Sequence, residues 1–125
     1  KLKRMIGNNK KRYNALEKSI KERFAIREIP DLSSGTFDTF IFYVKNKSLK
    51  SKILKILYSS GVGTKNLPDA TEWHCSFYWD HALPRQQIKN SRYTKDLLDT
   101  AIAIPIWLSK SLNIYKKVAK QIISI

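Results

Sequence analysis

The chain has 125 residues, 42% of them hydrophobic and 11% aromatic, so it is too apolar for a disordered tail and long enough to bury one compact core. Twenty-four Lys and Arg and ten Asp and Glu give a net charge of +14. This charge attracts nucleic acid, anionic lipid or acidic substrates and does not indicate which of them is the partner. No apolar run is long enough for a membrane-spanning helix. The single cysteine excludes an internal disulfide and fits a reducing, cytoplasmic environment.

The pattern of residues 2–24 predicts a long amphipathic helix. Its apolar side chains recur every three or four positions, with Lys and Arg between them: Tyr13, Leu16, Ile20 and Phe24. Gly7, Asn8 and Asn9 are poor helix formers and predict a break in the first third. The basic side chains of this helix could follow a phosphate backbone, but a solvated face is the simpler interpretation.

Two strands and a helix are predicted next. Residues 26–29 form a short strand, residues 31–35 a loop, and the aromatic and β-branched run at residues 36–44 is typical of a central strand. Ser48 is expected to cap a helix, and Gly61 to supply its left-handed C-terminal cap. The apolar face of this helix is expected to contain Leu49, Ile53, Ile56 and Leu57.

The second half of the chain contains an unusual segment. Residues 62–64 form a short strand at most, and residues 65–87 lack periodicity while holding two Trp, both His, the Cys and two Pro. Loops of this length are usually functional or covered by another surface. A helix at residues 92–100, an edge or bulged strand at residues 101–108 with Pro105 inside it, and a closing helix capped by Ser111 follow. The inward face of that closing helix is expected to contain Leu112, Tyr115, Val118 or Ala119, and Ile122. The elements together predict an α+β domain with a small sheet of three to four strands packed by helices.

Residues 73–81 combine two imidazoles, a thiol and a carboxylate, all of which are metal ligands in other proteins. Their spacing matches no standard zinc pattern, so we expect no metal site. His74 and Cys75 are sequence neighbours, whose side chains rarely face each other, which argues against a thiol nucleophile with its base. Gly61 and Gly63 lack the third glycine of the dinucleotide fingerprint. No catalytic residue is assigned to this chain, and burial or substrate contact is predicted for the imidazoles.

Residues 60–70, SGVGTKNLPDA, followed by Trp73-His74 and Trp79-Asp80-His81, resemble the C-terminal small domain of the DegT/DnrJ/StrS sugar aminotransferases. The resemblance is closest to their 8-amino-3,8-dideoxy-octulosonate transaminase branch. Residues 12–16 resemble the interdomain helix of that family, and residues 39–42 resemble its first small-domain strand. The order of elements agrees along nearly all of the chain.

The resemblance implies a fold-type I enzyme that uses pyridoxal phosphate to transfer an amino group from glutamate to a keto-sugar in surface-polysaccharide or nucleotide-sugar biosynthesis. It implies that residues 1–125 are the small domain, with residues 1–24 as the interdomain helix. The large domain with the cofactor and its lysine would lie outside this chain, and this piece alone would be inactive. The full-length protein would be a cytoplasmic homodimer that binds keto-sugar and glutamate, with no nucleic-acid or membrane partner.

A keto-sugar acid offers hydroxyls and a carboxylate, which imidazole, amide, hydroxyl and ammonium groups can bind. The candidate substrate-binding residues are Thr64, Lys65, Asn66, His74, Trp79 and His81. Lys65 falls in the small-domain loop of the resemblance and is not the cofactor-binding lysine. Trp79 is expected either to stack on a sugar or to anchor the large domain, and Trp73 and Trp107 are expected to be anchors.

Three alternatives stay open. The family also contains pyridoxal-dependent sugar dehydratases, in which the large-domain lysine is replaced. A free-standing basic nucleic-acid-binding module is a second class, and its binding would fall steeply with added salt. A purely structural dimerisation piece is a third. An excised small domain would expose apolar surface, so we expect the isolated chain to self-associate or to be marginally stable.

Overall fold

The computed structural model describes residues 1–30 and 35–125, so most of the loop predicted at residues 31–35 lies outside the described residues. The described part is an α+β domain, as predicted, with six α-helices and one small sheet. Its elements are α1 (Leu2–Ile20), β1 (Ala25–Ile26), β2 (Thr39–Tyr43), α2 (Lys47–Ser59), α3 (Thr71–His74), a 3-10 turn (Ser76–Tyr78), α4 (Arg85–Asn90), α5 (Arg92–Thr100), β3 (Ala101–Pro105) and α6 (Leu112–Ile123).

The three strands form an antiparallel sheet in the order β1-β2-β3, which confirms the central strand predicted within residues 36–44. In the register of β2 with β3, Phe40 lies opposite Ile104 and Phe42 lies opposite Ile102. Because side chains alternate along a strand, these four share one face, and all four are fully buried. β3 is an edge strand, as the proline predicts, but it ends at Pro105 and does not continue to residue 108.

Three helices contribute to the core on the buried face of the sheet. α6 contacts both α1 and α2. Most of the predicted inward residues of these helices are buried, including two of the four predicted in α2: Tyr13, Leu16, Ile20, Ile53, Leu57, Tyr115, Val118, Ala119 and Ile122. Leu112, also predicted to face inward, is only half-buried. Each large aliphatic side chain buried in this way contributes about 1.5–3 kcal/mol to the stability of the fold. The spacing of these side chains along the helices therefore decides which helix faces pack together.

The break predicted in the first third of α1 is absent, because the helix continues through Gly7, Asn8 and Asn9. Asn9 is buried, and its side-chain amide donates to the Thr36 carbonyl at 3.0 Å. This tertiary bond offsets the low helix propensity of the segment. α1 also ends at Ile20, earlier than predicted. Phe24 lies beyond the helix and still reaches the core.

Two further local predictions are wrong. The cap of α2 is Asn46 rather than Ser48, since its side-chain oxygen accepts from the Leu49 amide at 2.9 Å. Residues 62–64 form no strand, because Gly61 and Gly63 both take left-handed backbone angles, with φ of 72° and 68°, and turn the chain. The left-handed angle predicted at Gly61 is confirmed.

The other predicted elements agree with the sequence except in their bounds, whereas α3, the 3-10 turn and α4 were not predicted. α5 has its predicted limits, and Ser111 caps α6 by accepting from the Ile114 amide. β1 covers only Ala25–Ile26, shorter than the strand predicted at residues 26–29. Among the described residues, no helix combines the length and the apolar character needed to cross a membrane.

Candidate functional site

All six predicted site residues lie in the segment that connects α2 to α4. Its first part is fixed to the outer edge of β3 by two backbone hydrogen bonds. The Lys65 amide donates to the Ala103 carbonyl at 3.0 Å, and the Ala103 amide donates to the Leu67 carbonyl at 3.1 Å. Ala103 is buried, so this attachment excludes water from the edge. The segment is therefore ordered by the sheet although it has no strand of its own.

Thr64 is connected to α2 through Asp69. The Tyr58 hydroxyl donates to Asp69 Oδ1 at 2.8 Å, and the Thr64 hydroxyl donates to Asp69 Oδ2. The hydrogen bond with Thr64 lowers the pKa of Tyr58, but burial and the Asp69 carboxylate together raise that pKa above its ordinary value. The phenol consequently stays protonated as a donor at neutral pH. Thr64 is thus held by its own loop and helps to shape it.

Lys65 forms an ion pair with Asp38, with 2.9 Å between Nζ and Oδ2. This hydrogen bond lowers the pKa of Asp38, and the Thr36 hydroxyl, which donates to Oδ1 at 3.2 Å, acts in the same direction. Both side chains of the pair are exposed. Asn66 follows with a left-handed φ of 66°, so its exposed amide stands at the tip of the turn.

Trp79 and His81 lie at a second place, which we call the aromatic hollow. This shallow cavity of about 590 Å³ is lined by Glu72, Trp73, Tyr78, Trp79, His81 and Ala82. The Trp79 indole N–H donates to the Glu72 carbonyl at 3.3 Å, which orients the ring. Trp73 is 81% exposed and the His81 side chain 78% exposed. Aromatic walls beside an imidazole suit a sugar, which has both C–H faces and hydroxyls.

The six predicted residues therefore separate into two groups and one outlier. Thr64, Lys65 and Asn66 share the turn on β3, whereas Trp79 and His81 share the aromatic hollow. His74 is not among the residues that line the hollow and lies exposed at the end of α3. Its neighbour Cys75 is buried, so the imidazole and the thiol occupy different environments.

Sequence reasoning missed the residues that organise these two places. Tyr58 and Asp69 hold the turn, and Glu72 supplies the carbonyl that orients Trp79. Their spacing follows no helical or strand period. The one sequence feature that pointed to these contacts was the pair Gly61 and Gly63. These glycines turn the chain back toward the end of α2.

Trp107 was expected to anchor another domain, and it makes a contact inside this one. Its indole N–H donates to the Val62 carbonyl at 3.1 Å. The residue remains about half exposed, so part of it is still accessible at the surface.

Lys65 and Lys50 both have partners within the domain. Lys65 is engaged with Asp38 on the surface, and the Lys50 ammonium donates to the Asp99 carbonyl. The lining of the aromatic hollow contains no lysine. Within residues 1–30 and 35–125, no group of three or more His, Cys, Asp or Glu is arranged to hold a metal ion.

The chain matches no protein-family model and no curated protein sequence.

Proposed function

We propose that this chain is the small domain of a pyridoxal-phosphate-dependent sugar aminotransferase of the DegT/DnrJ/StrS type. The supporting observation is the aromatic hollow, where Trp73, Tyr78 and Trp79 are gathered at an open surface. Soluble domains rarely expose several large aromatic rings together unless a ligand or a partner surface covers them. In the proposed enzyme, the keto-sugar and a large domain provide that cover.

The side chains of the hollow have distinct tasks in this proposal. Trp79 stacks on the C–H face of the sugar, and its ring is already oriented by the bond to Glu72. The exposed imidazole of His81 bonds to sugar hydroxyls, whereas His74 lies outside the lining of the hollow. Closing the hollow on the sugar removes water from these groups and strengthens each hydrogen bond.

The turn on β3 supplies the polar contacts to a sugar acid. Lys65 binds the carboxylate, and Asn66 offers an amide that can both donate and accept. An exposed ion pair such as Lys65 with Asp38 contributes about 1 kcal/mol or less, so exchanging Asp38 for a substrate carboxylate costs little. Thr64 keeps the turn in place through Asp69.

The cofactor belongs to the large domain in this proposal, as the resemblance implies. When bound there, pyridoxal phosphate supplies the electron sink through which an amino group moves from glutamate to the keto carbon. This chain binds and orients the sugar. A dehydratase of the same family would need the same binding surface, so the test must distinguish the two reactions.

The test is the visible absorption of the full-length protein, including the proposed large domain, before and after addition of glutamate. A bound-cofactor band that shifts with glutamate supports the aminotransferase. A bound cofactor that dialysis removes, and that is not linked to a lysine, indicates the dehydratase. A full-length protein that binds no cofactor overturns both assignments.

A matched pair of variants tests the hollow itself. Trp79→Ala should raise KM for the keto-sugar about tenfold, because stacking and ring burial are lost. The glutamate half of the reaction should be unchanged. Tyr93→Ala removes another exposed aromatic ring, outside the residues that line the hollow, and should leave KM unaltered. An equal effect of both variants would contradict the role given to Trp79.

A further inference from the structure

A groove between α2 and α6 shares no lining residue with the aromatic hollow. Two adjoining hollows of about 660 and 480 Å³ form it, and both are lined by Ile56, Lys117 and Gln121. Half-buried isoleucines provide its apolar floor: Ile56, Ile114 and Ile125. We call this feature the α2–α6 groove.

The rim of the groove is cationic. It carries Lys55 from α2 and Lys116, Lys117 and Lys120 from α6. The two helices, both described along their whole length, contain seven lysines, no arginine and no acidic residue. No Asp or Glu occurs among the residues that line either hollow. The positive charge of this surface is therefore not neutralised locally, and it favours an acidic partner.

We propose that the α2–α6 groove binds an acidic amphipathic helix of a partner protein. A helix in such a groove places apolar side chains at helical spacing on the isoleucine floor, while its flanking carboxylates meet the lysines on both sides. The lining of the groove runs from Asn113 to Ile125 along α6, about 18 Å of helix, and only from Lys55 to Ser60 along α2. That length accepts about three turns of a partner helix.

Other polyanions use fewer features of this surface. Nucleic-acid sites favour arginine for bidentate contacts and aromatic rings for stacking, and neither lines the groove. A bilayer is entered by apolar side chains that protrude, whereas Ile56 and Ile114 lie half buried between lysines. Only an acidic amphipathic helix engages both the floor and the rim. This inference does not depend on the proposed aminotransferase function.

The test measures fluorescence anisotropy of labelled peptides with the full chain at physiological salt. The probe is a designed peptide of about four helical turns, with leucines in one helical stripe and glutamates elsewhere. Its control has the same composition with the stripe broken. We expect the striped peptide to bind about tenfold more tightly, since only it can bury its leucines together. Equal binding of the two peptides would overturn the proposal.

Variants locate the binding. Lys116→Glu with Lys120→Glu should weaken binding of the striped peptide about tenfold. Lys3→Glu with Lys11→Glu makes the same charge change on exposed positions of α1 and should have little effect. Ile125→Ser should reduce the preference for the striped over the broken peptide. An equal loss in both charge variants would mean that general attraction, and not the groove, binds the peptide.

Two further probes decide the class of partner. Duplex DNA and phosphatidylglycerol vesicles are measured against the same chain at the same salt. Weaker binding to both than to the striped peptide supports a protein partner. Tighter binding to either would replace the acidic helix with a nucleic acid or a membrane surface, and would overturn the proposal.

Discussion

Replacing Tyr115 with Phe removes the hydroxyl that joins α6 to the end of β3. The hydroxyl donates to the Pro105 carbonyl at 3.0 Å and accepts from the Trp107 amide at 2.7 Å. Tyr115 is fully buried, so loss of its hydroxyl leaves the Pro105 carbonyl without a partner where water is excluded. The Trp107 amide is only partly shielded from water. A buried group left unsatisfied costs about 1–3 kcal/mol. We therefore expect the free energy of unfolding to fall by about 2–3 kcal/mol.

Urea denaturation followed by far-UV circular dichroism measures this loss, with the denaturant slope expected to stay constant. Tyr93→Phe is the matched control, because that tyrosine is 78% exposed. It should change the free energy of unfolding by less than about 0.5 kcal/mol. A loss below about 1 kcal/mol for Tyr115→Phe, or equal losses in the two variants, would refute the reasoning.

The same variant has a pH signature. Burial raises the pKa of Tyr115 above its ordinary value of 10.0, although the bond to Trp107 and the charge of Arg12 act in the opposite direction. As pH rises, the phenol of Tyr115 ionises in the unfolded chain at a lower pH than in the folded chain. The stability that the protonated phenol contributes is therefore complete below about pH 10 and is lost as pH rises through the folded pKa. The stability difference between the native chain and Tyr115→Phe should narrow in that alkaline range. A widening difference would contradict the burial argument.

Three other predictions concern single positions. Gly61→Ala should lower the free energy of unfolding by about 1–2 kcal/mol because of its left-handed backbone, whereas Gly7→Ala, inside α1, should raise it by about 0.5–1 kcal/mol. A urea midpoint that moves against its expected direction would contradict the prediction for that variant. Asn46→Ala should destabilise by about 1 kcal/mol through loss of the cap of α2, and Ser48→Ala, tested by the same titration, should have little effect. Trp73→Gln should reduce self-association of the isolated chain in sedimentation velocity, and an unchanged profile would show that this ring is not the contact.

The sequence predicted the periodic elements well for a physical reason. Tyr13, Leu16 and Ile20 are buried because a helix of 3.6 residues per turn brings that spacing to one face. The aromatic run around β2 is similarly buried at alternate positions, Phe40 and Phe42. Periodicity is a local property, so it can be recognised without knowing what the element packs against.

Features that depend on distant partners could not be predicted in this way. The helix-breaking tendency of Asn9 is outweighed by its bond to the Thr36 carbonyl, 27 residues away. Asn46 and Ser48 are both good caps, and only the backbone path before α2 decides between them. The site residues were predicted by type and resemblance, but Asp69, which orders Thr64, becomes recognisable only once the chain has turned at Gly61.

The attachment of the turn to β3 also has a consequence for aggregation. An uncovered edge strand presents free amides and carbonyls, to which a strand of another molecule can add. The Lys65 amide and the Leu67 carbonyl form hydrogen bonds with the carbonyl and amide of Ala103. The segment that carries the candidate residues therefore also shields the edge of the sheet. Mutation can therefore vary the side chains of this turn without exposing the edge, as long as its backbone path is kept. A proline at position 65 would remove a donor and expose the edge to other chains.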